Sequence, residues 1–304
     1  MKFTKIAATA VALSTIAGSA YAADLPSRKA PMIMAPPPPV FTWSGFYVGL
    51  NAGGTFNNRN NFSVVAAPVA NAGIAGAPAV QAAIDSSVTG FGSLGQRSGA
   101  ILGAQAGYNW QFGSPFLLGI EADIQGIVQP GDRLTYTGTA PQAGFAAANT
   151  SSVTVTKRLD YLGTVRGRIG YVFAPNFMLY ATGGLAYGQV KSQTSTITVA
   201  TGGGTVVRPG AASLGINQGR VGYAVGAGGE WMFMPNWSLK AEYLYYDLRT
   251  MNYNAGALAT SAPAGNPFTV DALRTRIRVD GHIARLGVNY HFWGASAAPV
   301  VARY

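Results

Sequence analysis

Eight segments of this chain, each about ten to fifteen residues long, alternate apolar with polar or small side chains at a period of two. That period belongs to strands with one greasy face and one wet face. In His282 to Phe292, Ala284, Leu286, Val288, Tyr290 and Phe292 point one way, against Arg285, Gly287, Asn289 and His291. In Trp237 to Tyr246, Trp237, Leu239, Ala241, Tyr243 and Tyr245 oppose Ser238, Lys240 and Glu242. Arg158 to Val172 sets Leu159, Tyr161, Val165, Ile169 and Tyr171 against Asp160, Thr164, Arg166 and Arg168. Phe116 to Val128 and Ala100 to Phe112 divide in the same way, and the segments near 46–56, 177–190 and 220–233 repeat the pattern with more glycine.

The connections between these segments alternate strictly in length. Phe112-Gly113-Ser114-Pro115-Phe116, Phe173-Ala174-Pro175-Asn176-Phe177 and Phe233-Met234-Pro235-Asn236-Trp237 are short, each with a proline between two aromatics. Proline presets φ for a tight turn and cannot extend a ladder. Roughly 57–97, 130–157, 191–218 and 249–280 are long and read as loops. Short turns on one side and long loops on the other are the layout of a transmembrane barrel. The apolar stretch Val64 to Ile84 is broken by Pro68, Asn71, Gly73, Gly76 and Pro78 and reads as part of the first long loop, not as a spanning helix.

Aromatics gather beside the short turns: Trp110, Phe112, Phe116, Tyr171, Phe173, Phe177, Trp231, Phe233 and Trp237, with Trp43 and Trp293 flanking the first and last segments at the same level. β-Propensity explains their number. Their placement at one rim fits a girdle at the lipid headgroup boundary. Charged residues make up only 11% of the chain, against about 25% in an average soluble domain. A soluble sandwich would carry more surface charge. The expected fold is therefore all-β: an eight-stranded, antiparallel, up-and-down transmembrane barrel.

Eight strands make a barrel that its own side chains about fill. The inward set holds both signs, with Glu121, Asp123, Glu230 and Glu242 against Arg166, Arg168, Lys240 and Arg285. Buried charges need partners, so a polar network across a largely plugged lumen is expected. The net charge of +10 invites a nucleic-acid reading, but the arginines are scattered through apolar strands with no lysine-rich run, so no nucleic-acid partner is expected. Lys157, Arg158, Lys191, Arg220, Arg274, Arg276 and Arg278 fall near the outer ends of segments or in loops. Arginine pairs bidentately with phosphate, which makes these residues candidate contacts for lipopolysaccharide.

Cysteine is absent, and the only histidines are His282 and His291, on opposite faces by parity. No metal site or cofactor is expected. Ser238 is inward and near a short turn, the wrong end for chemistry on lipid A, and His282 near the outer rim, with Asp280 beside it, is only a remote candidate base for a barrel enzyme acting on lipid. Gly202-Gly203-Gly204 lacks the Lys-Ser/Thr pair of a phosphate loop. At the start, Lys2 and Lys5, the apolar Ile6 to Ala17 and Ala20-Tyr21-Ala22 form an export signal over 1–22. Residues 23–42, with Pro36 to Pro39, read as an extended periplasmic linker. The barrel is expected over 43–293, with an extension over 294–304.

Trp43-Ser44-Gly45-Phe46-Tyr47-Val48-Gly49, Asp160-Tyr161-Leu162-Gly163-Thr164-Val165-Arg166-Gly167-Arg168-Ile169-Gly170, Lys240-Ala241-Glu242-Tyr243-Leu244-Tyr245-Tyr246-Asp247-Leu248 and Arg285-Leu286-Gly287-Val288-Asn289-Tyr290-His291-Phe292 resemble the alpha-proteobacterial outer-membrane immunogenic proteins. These are surface-antigen porins with an OmpA-like small barrel. The resemblance covers nearly the whole chain after the signal. It implies an outer-membrane envelope protein and surface antigen, with a narrow porin as the alternative. It also implies the barrel-assembly machinery as a partner during insertion, reading either Phe292 or Tyr304.

Overall fold

The computed structural model describes residues 41–57, 60–68, 77–94, 98–113, 115–141, 147–202, 210–261 and 267–292. The expected export signal over 1–22, nearly all of the proline-rich stretch expected to be a linker, Trp293 and the extension lie outside the described residues. In chain order the elements are β1 (Gly45–Asn57), β2 (Asn60–Pro68), α1 (Ala77–Val88), β3 (Gly90–Leu94), β4 (Ser98–Gln111), β5 (Phe116–Val128), β6 (Asp132–Pro141), β7 (Ala147–Ala174), β8 (Phe177–Gly202), β9 (Gly210–Met234), β10 (Trp237–Ser261) and β11 (Pro267–Phe292).

Eight of these strands form an antiparallel ring in the order β1, β4, β5, β7, β8, β9, β10 and β11. It closes from Phe46↔Phe292 to Asn57↔Gly281. Closure matters because lipid offers no partner to a free edge. The short connections are tight turns: Pro175-Asn176 joins β7 to β8, and Pro235-Asn236 joins β9 to β10. Gly113, between β4 and β5, takes a φ of 60°, which glycine adopts without a Cβ penalty. Each turn is tied to the next strand, since Val172 N donates to Pro115 O at 2.7 Å, Met232 N to Asn176 O at 2.8 Å and His291 N to Asn236 O at 2.8 Å.

Outward side chains of the ring are apolar and exposed, among them Leu50, Leu102, Ile120, Ile124, Ile169, Leu185, Val221 and Leu286. From Trp237 to Tyr245 the outer face of β10 spans about 20 Å along the barrel axis, for about 3.4 Å per residue and a tilt near 40°. Charged Arg158, Asp160, Lys191 and Arg278 follow just above. That band matches the hydrophobic height a barrel presents to lipid.

Most of the long connections are strand rather than loop. β7, β8, β9, β10 and β11 all run past the lipid band, carried by β-prone stretches such as Thr150 to Thr156 and Thr194 to Val199. Their outer arms fall into two sheets. β6 adds to the outer arm of β7, giving β6-β7-β8-β9. The hairpin β2-β3 adds to β11 through Ile277↔Phe62 to Asp271↔Pro68, giving β10-β11-β2-β3. The first long connection thus holds a hairpin and a twelve-residue helix. No described helix is long and apolar enough to cross a membrane.

Two register shifts separate the ring from these arms. One lies between Leu159 and Leu162 in β7, the other between Asp247 and Thr250 in β10. Arg249 at the second has a φ of 68°. A bulge inserts an extra residue and inverts which parity faces inward. Arg166 and Arg168 therefore point in from the ring, while Val153, Val155, Lys157 and Leu159 point in from the arm of the same strand. Leu159 corrects the face expected from sequence, which had placed it outward with Val165.

Candidate functional site

The interior of the barrel is layered. At the periplasmic end Trp43, Leu117, Met178 and Met232 form an apolar floor. Trp43 is 1% exposed, donates Nε1 to Pro175 O at 3.1 Å and packs edge-on to His291. This corrects the expectation that it flanks the lipid girdle, because residues 41–44 turn under the ring, with Phe41 packed beside Trp43 against the same floor.

Above the floor lies the charged layer. Every residue expected there from sequence is brought together: Glu121 and Asp123 from β5, Arg166 and Arg168 from β7, Glu230 from β9, Lys240 and Glu242 from β10, and Arg285 from β11, all buried. Cross-strand register sets the primary pairs, Glu121↔Arg166, Glu230↔Lys240 and Glu242↔Arg285. The long side chains then reach across the lumen. Arg166 lies 2.7 Å from Glu121, 2.7 Å from Asp123 and 3.0 Å from Glu242. Lys240 Nζ donates to both oxygens of Glu121 at 2.9 Å. Arg285 bridges Glu242 and Asp123 and donates to Gln125 Oε1. Arg168 donates to Glu230 at 3.1 Å and to Asn109 Oδ1 at 2.8 Å, with its guanidinium over the rings of Tyr47 and Tyr180.

Carboxylates and cations match one for one, so the layer is neutral without a mobile ion. Neutral donors add to it, Tyr47 to Glu121, Tyr180 to Glu242, Thr164 to Asp123, and Ser238 and Asn289 to Glu230. Tyr47 and Asn289 have inward parity, so the alternation that found the charges also marks them. His291 Nε2 sits 2.9 Å from Ser238 Oγ and 3.3 Å from Glu230. Serine and carboxylate thus crowd one ring nitrogen, whereas a catalytic triad divides them between the two.

Above the charges comes an apolar roof that no inward charge announced. Phe62 and Val64 of β2, Ile84 and Val88 of α1, Val153, Val155 and Leu159 of β7, Val190 of β8, Met251 and Tyr253 of β10, and Leu273 and Ile277 of β11 form one buried cluster. The helix is fastened at its end, with Tyr136 Oη donating to Val88 O and Ser87 Oγ 2.7 Å from Ser151 Oγ. The signal for the roof, the inward Val153-x-Val155 pair, is hidden by the parity change at the bulge.

The girdle residues Trp110, Phe112, Phe116, Tyr171, Phe173, Phe177, Trp231, Phe233 and Trp237 are all exposed on the outer face. They contact one another in short runs, such as Phe116–Tyr171–Phe173 and Trp231–Phe233. The basic rim residues divide. Lys157 corrects the expectation of a lipid contact. It lies on the inward face above the β7 bulge, 4% exposed and 3.8 Å from Asp132. Arg220 is half-buried and donates to Thr250 O at 2.7 Å. Arg158 and Lys191 are exposed and share Asp160, and Arg278 pairs with Asp247. Arg274 and Arg276 are exposed on the outer face of β11, and no ion pair engages them among the described residues.

Residues 8–292 match the family model described as outer membrane protein beta-barrel domain. The chain belongs to this family. Outer-membrane barrel relatives include the 31 kDa outer-membrane immunogenic protein of Brucella melitensis, 31% identical over 295 residues that cover 96% of this chain and 100% of that one. The 22 kDa outer membrane protein of Rhizobium leguminosarum is 29% identical over 220 residues, 72% of this chain and 71% of that one. The crystal structure of OprG from Pseudomonas aeruginosa aligns with 83% of this barrel chain and 97% of its own, at 9% identity and a TM-score of 0.36. The protein is an outer-membrane β-barrel.

Proposed function

We propose that this barrel is a non-conducting envelope protein that anchors and displays its outer β-arms at the cell surface, as a structural component and surface antigen. One observation carries the reading: a floor, a charge-balanced layer and an apolar roof fill the interior in succession. The immunogenic designation of the Brucella relative supports the surface role. Lipid would be met by the aromatic girdle below and by exposed Arg158, Arg274 and Arg276 above, facing lipopolysaccharide phosphates. Phe292 is exposed beside Phe46 where the ring closes, a placement that suits an assembly signal. Against an enzyme stands the Ser238–His291–Glu230 cluster, buried above the Trp43 floor with no divided triad.

Reconstitution into planar bilayers tests the central claim. The expected record is a baseline without stable openings. Steady, reproducible conductance steps would replace this reading with the narrow porin. For the lipid contacts, Arg274→Gln with Arg276→Gln is expected to reduce co-purifying lipopolysaccharide, and unchanged retention would remove those residues from the contact set.

A further inference from the structure

The ladder between β9 and β10 stops at Tyr223↔Asp247, although both strands continue outward. β10 leaves the wall of the ring. Its Tyr253 hydroxyl lies 2.8 Å from Ser192 Oγ and 2.8 Å from Thr194 Oγ1, on the inward face of β8. β10 has therefore crossed past β9 to reach the next strand. The outer arm of β9 stays paired with β8 alone among the described strands, from Thr198↔Gly210 to Gly188↔Arg220. One face is open, with Ser213, Gly215, Asn217 and Gly219 exposed, and the other exposes Leu214 and Gln218 while Ile216 between them packs against the roof. A Cβ built on Gly219 would meet nothing within 4 Å.

A strand bonded on one side presents a row of free backbone donors and acceptors. Proteins usually blunt such edges with lysine, proline or short length. Gly210 to Gly219 contains no charged residue and no proline. The geometry points to this edge as a docking strand for an extended polypeptide segment from outside the cell, added antiparallel to β9 as the continuation of the ladder that β10 abandons. Strand addition of this kind draws its affinity from main-chain hydrogen bonds, and neither sugar nor lipid offers the alternating N–H and C=O row that would match.

A second copy in the same membrane does not fit. Side-by-side barrels share an axis along the membrane normal, so their β9 arms run in the same direction. Antiparallel pairing is closed to them. Charge narrows the occupant further. No acid lies along the arm, and Arg220 stands at its base beside exposed Arg249. Since β9 runs inward from Gly210, an antiparallel segment would place its N-terminal end over Arg220. The fitting segment is neutral along its length and acidic at that end.

The test uses the mature protein in lipid nanodiscs and a fluorescein-labelled, acetylated octapeptide amide, Glu-Thr-Val-Thr-Val-Thr-Val-Thr, read by anisotropy. Two further versions carry N-methyl groups on alternate residues, one set for each edge of the peptide. Saturable binding is expected. One methylated set should weaken it at least about tenfold and the other less than about twofold, because only one edge bonds to β9. Hydrogen exchange should show alternate amides of residues 211–219 exchanging freely in the free protein and slowed by the probe. The double variant Ser213→Lys and Asn217→Lys, on the exposed face, should abolish binding while the exchange of β1, β4 and β5 stays as before. Any of four results overturns the proposal: no saturable binding, equal effects of the two methylated sets, an arm already protected in the free protein, or self-association through residues 210–219 that competes with the probe.

Discussion

The charged layer and the apolar roof sit a few residues apart along the same strands, yet they hold the barrel closed by opposite means. In the charged layer each of Arg166, Arg168, Lys240 and Arg285 answers more than one carboxylate. Such a layer contributes little net stability relative to an apolar one, because desolvation offsets the Coulomb attraction. It punishes partial disruption, since removing one member strands the rest. The roof behaves the other way. Its apolar burial contributes directly, at about 25 cal/mol per Å², and a lost side chain costs roughly what it buried. The lower lumen is thus all-or-none, and the upper one is graded.

The largest expected effect breaks the charged layer. Arg166→Met leaves Glu121, Asp123 and Glu242 without the guanidinium they share, and a loss of about 3–5 kcal/mol is expected in urea unfolding of the reconstituted barrel. A loss below about 1 kcal/mol would mean that water or the remaining cations take over, and that the layer is not dry. Next comes Ile84→Ala in α1, with an expected cost of about 2–4 kcal/mol. The consequence should stay local. Hydrogen exchange should quicken in α1, β2 and β6 while β1, β4 and β5 hold, whereas uniform quickening would merge the two regions into one cooperative unit.

Lys157 sharpens the comparison, because it is a charge placed in the apolar region. Burial lowers its pKa from the ordinary 10.5, opposed by the nearby Asp132 and Asp280 carboxylates. The unfolded chain then binds the proton more tightly than the folded one, so stability should rise with pH between the folded pKa and 10.5. Lys157→Met with Asp132→Leu removes both members of the pair and should flatten that rise. It should leave stability at neutral pH equal or improved, as apolar replacements of buried pairs commonly do. Thermal unfolding against pH, wild type beside the double variant, reads both effects.

The ring and its charges were legible in the sequence because one rule governs both. With an unbroken ladder, a period of two assigns every side chain to lipid or lumen, and Glu121, Asp123, Arg166 and Arg285 follow from parity alone. The roof was not legible for the same reason. At Asp160-Tyr161 and at Leu248-Arg249 the parity inverts, with no glycine or proline to mark the change. Leu159 and Lys157 were misplaced together, since both lie beyond the first inversion. The long connections hid their strands because Thr, Ser and Asn serve equally as loop residues and as the polar face of an exposed sheet. Trp43 was missed because a tryptophan beside a strand end reads alike as a girdle anchor or as a floor.

The smallest expected effect tests what creates the two regions in the first place. Arg249 holds a φ of 68°, and its N–H donates to Asp247 Oδ1 at 2.7 Å. A left-handed conformation costs a side-chain-bearing residue about 1–2 kcal/mol, which glycine avoids at some entropic cost of its own. Arg249→Gly should therefore stabilise the protein by about 0.5 kcal/mol, and Arg249→Asn by less. Arg249→Val should cost about 1–2 kcal/mol, because β-branching resists this region most. The melting order expected is glycine, asparagine, arginine, valine. The valine variant should also loosen Met251 and Tyr253, whose inward placement depends on the bulge, while Lys240 and Glu242 below it keep their partners. A reversed order would mean that the inversion of β10 is set elsewhere, and that the division between charged layer and roof does not originate at Arg249.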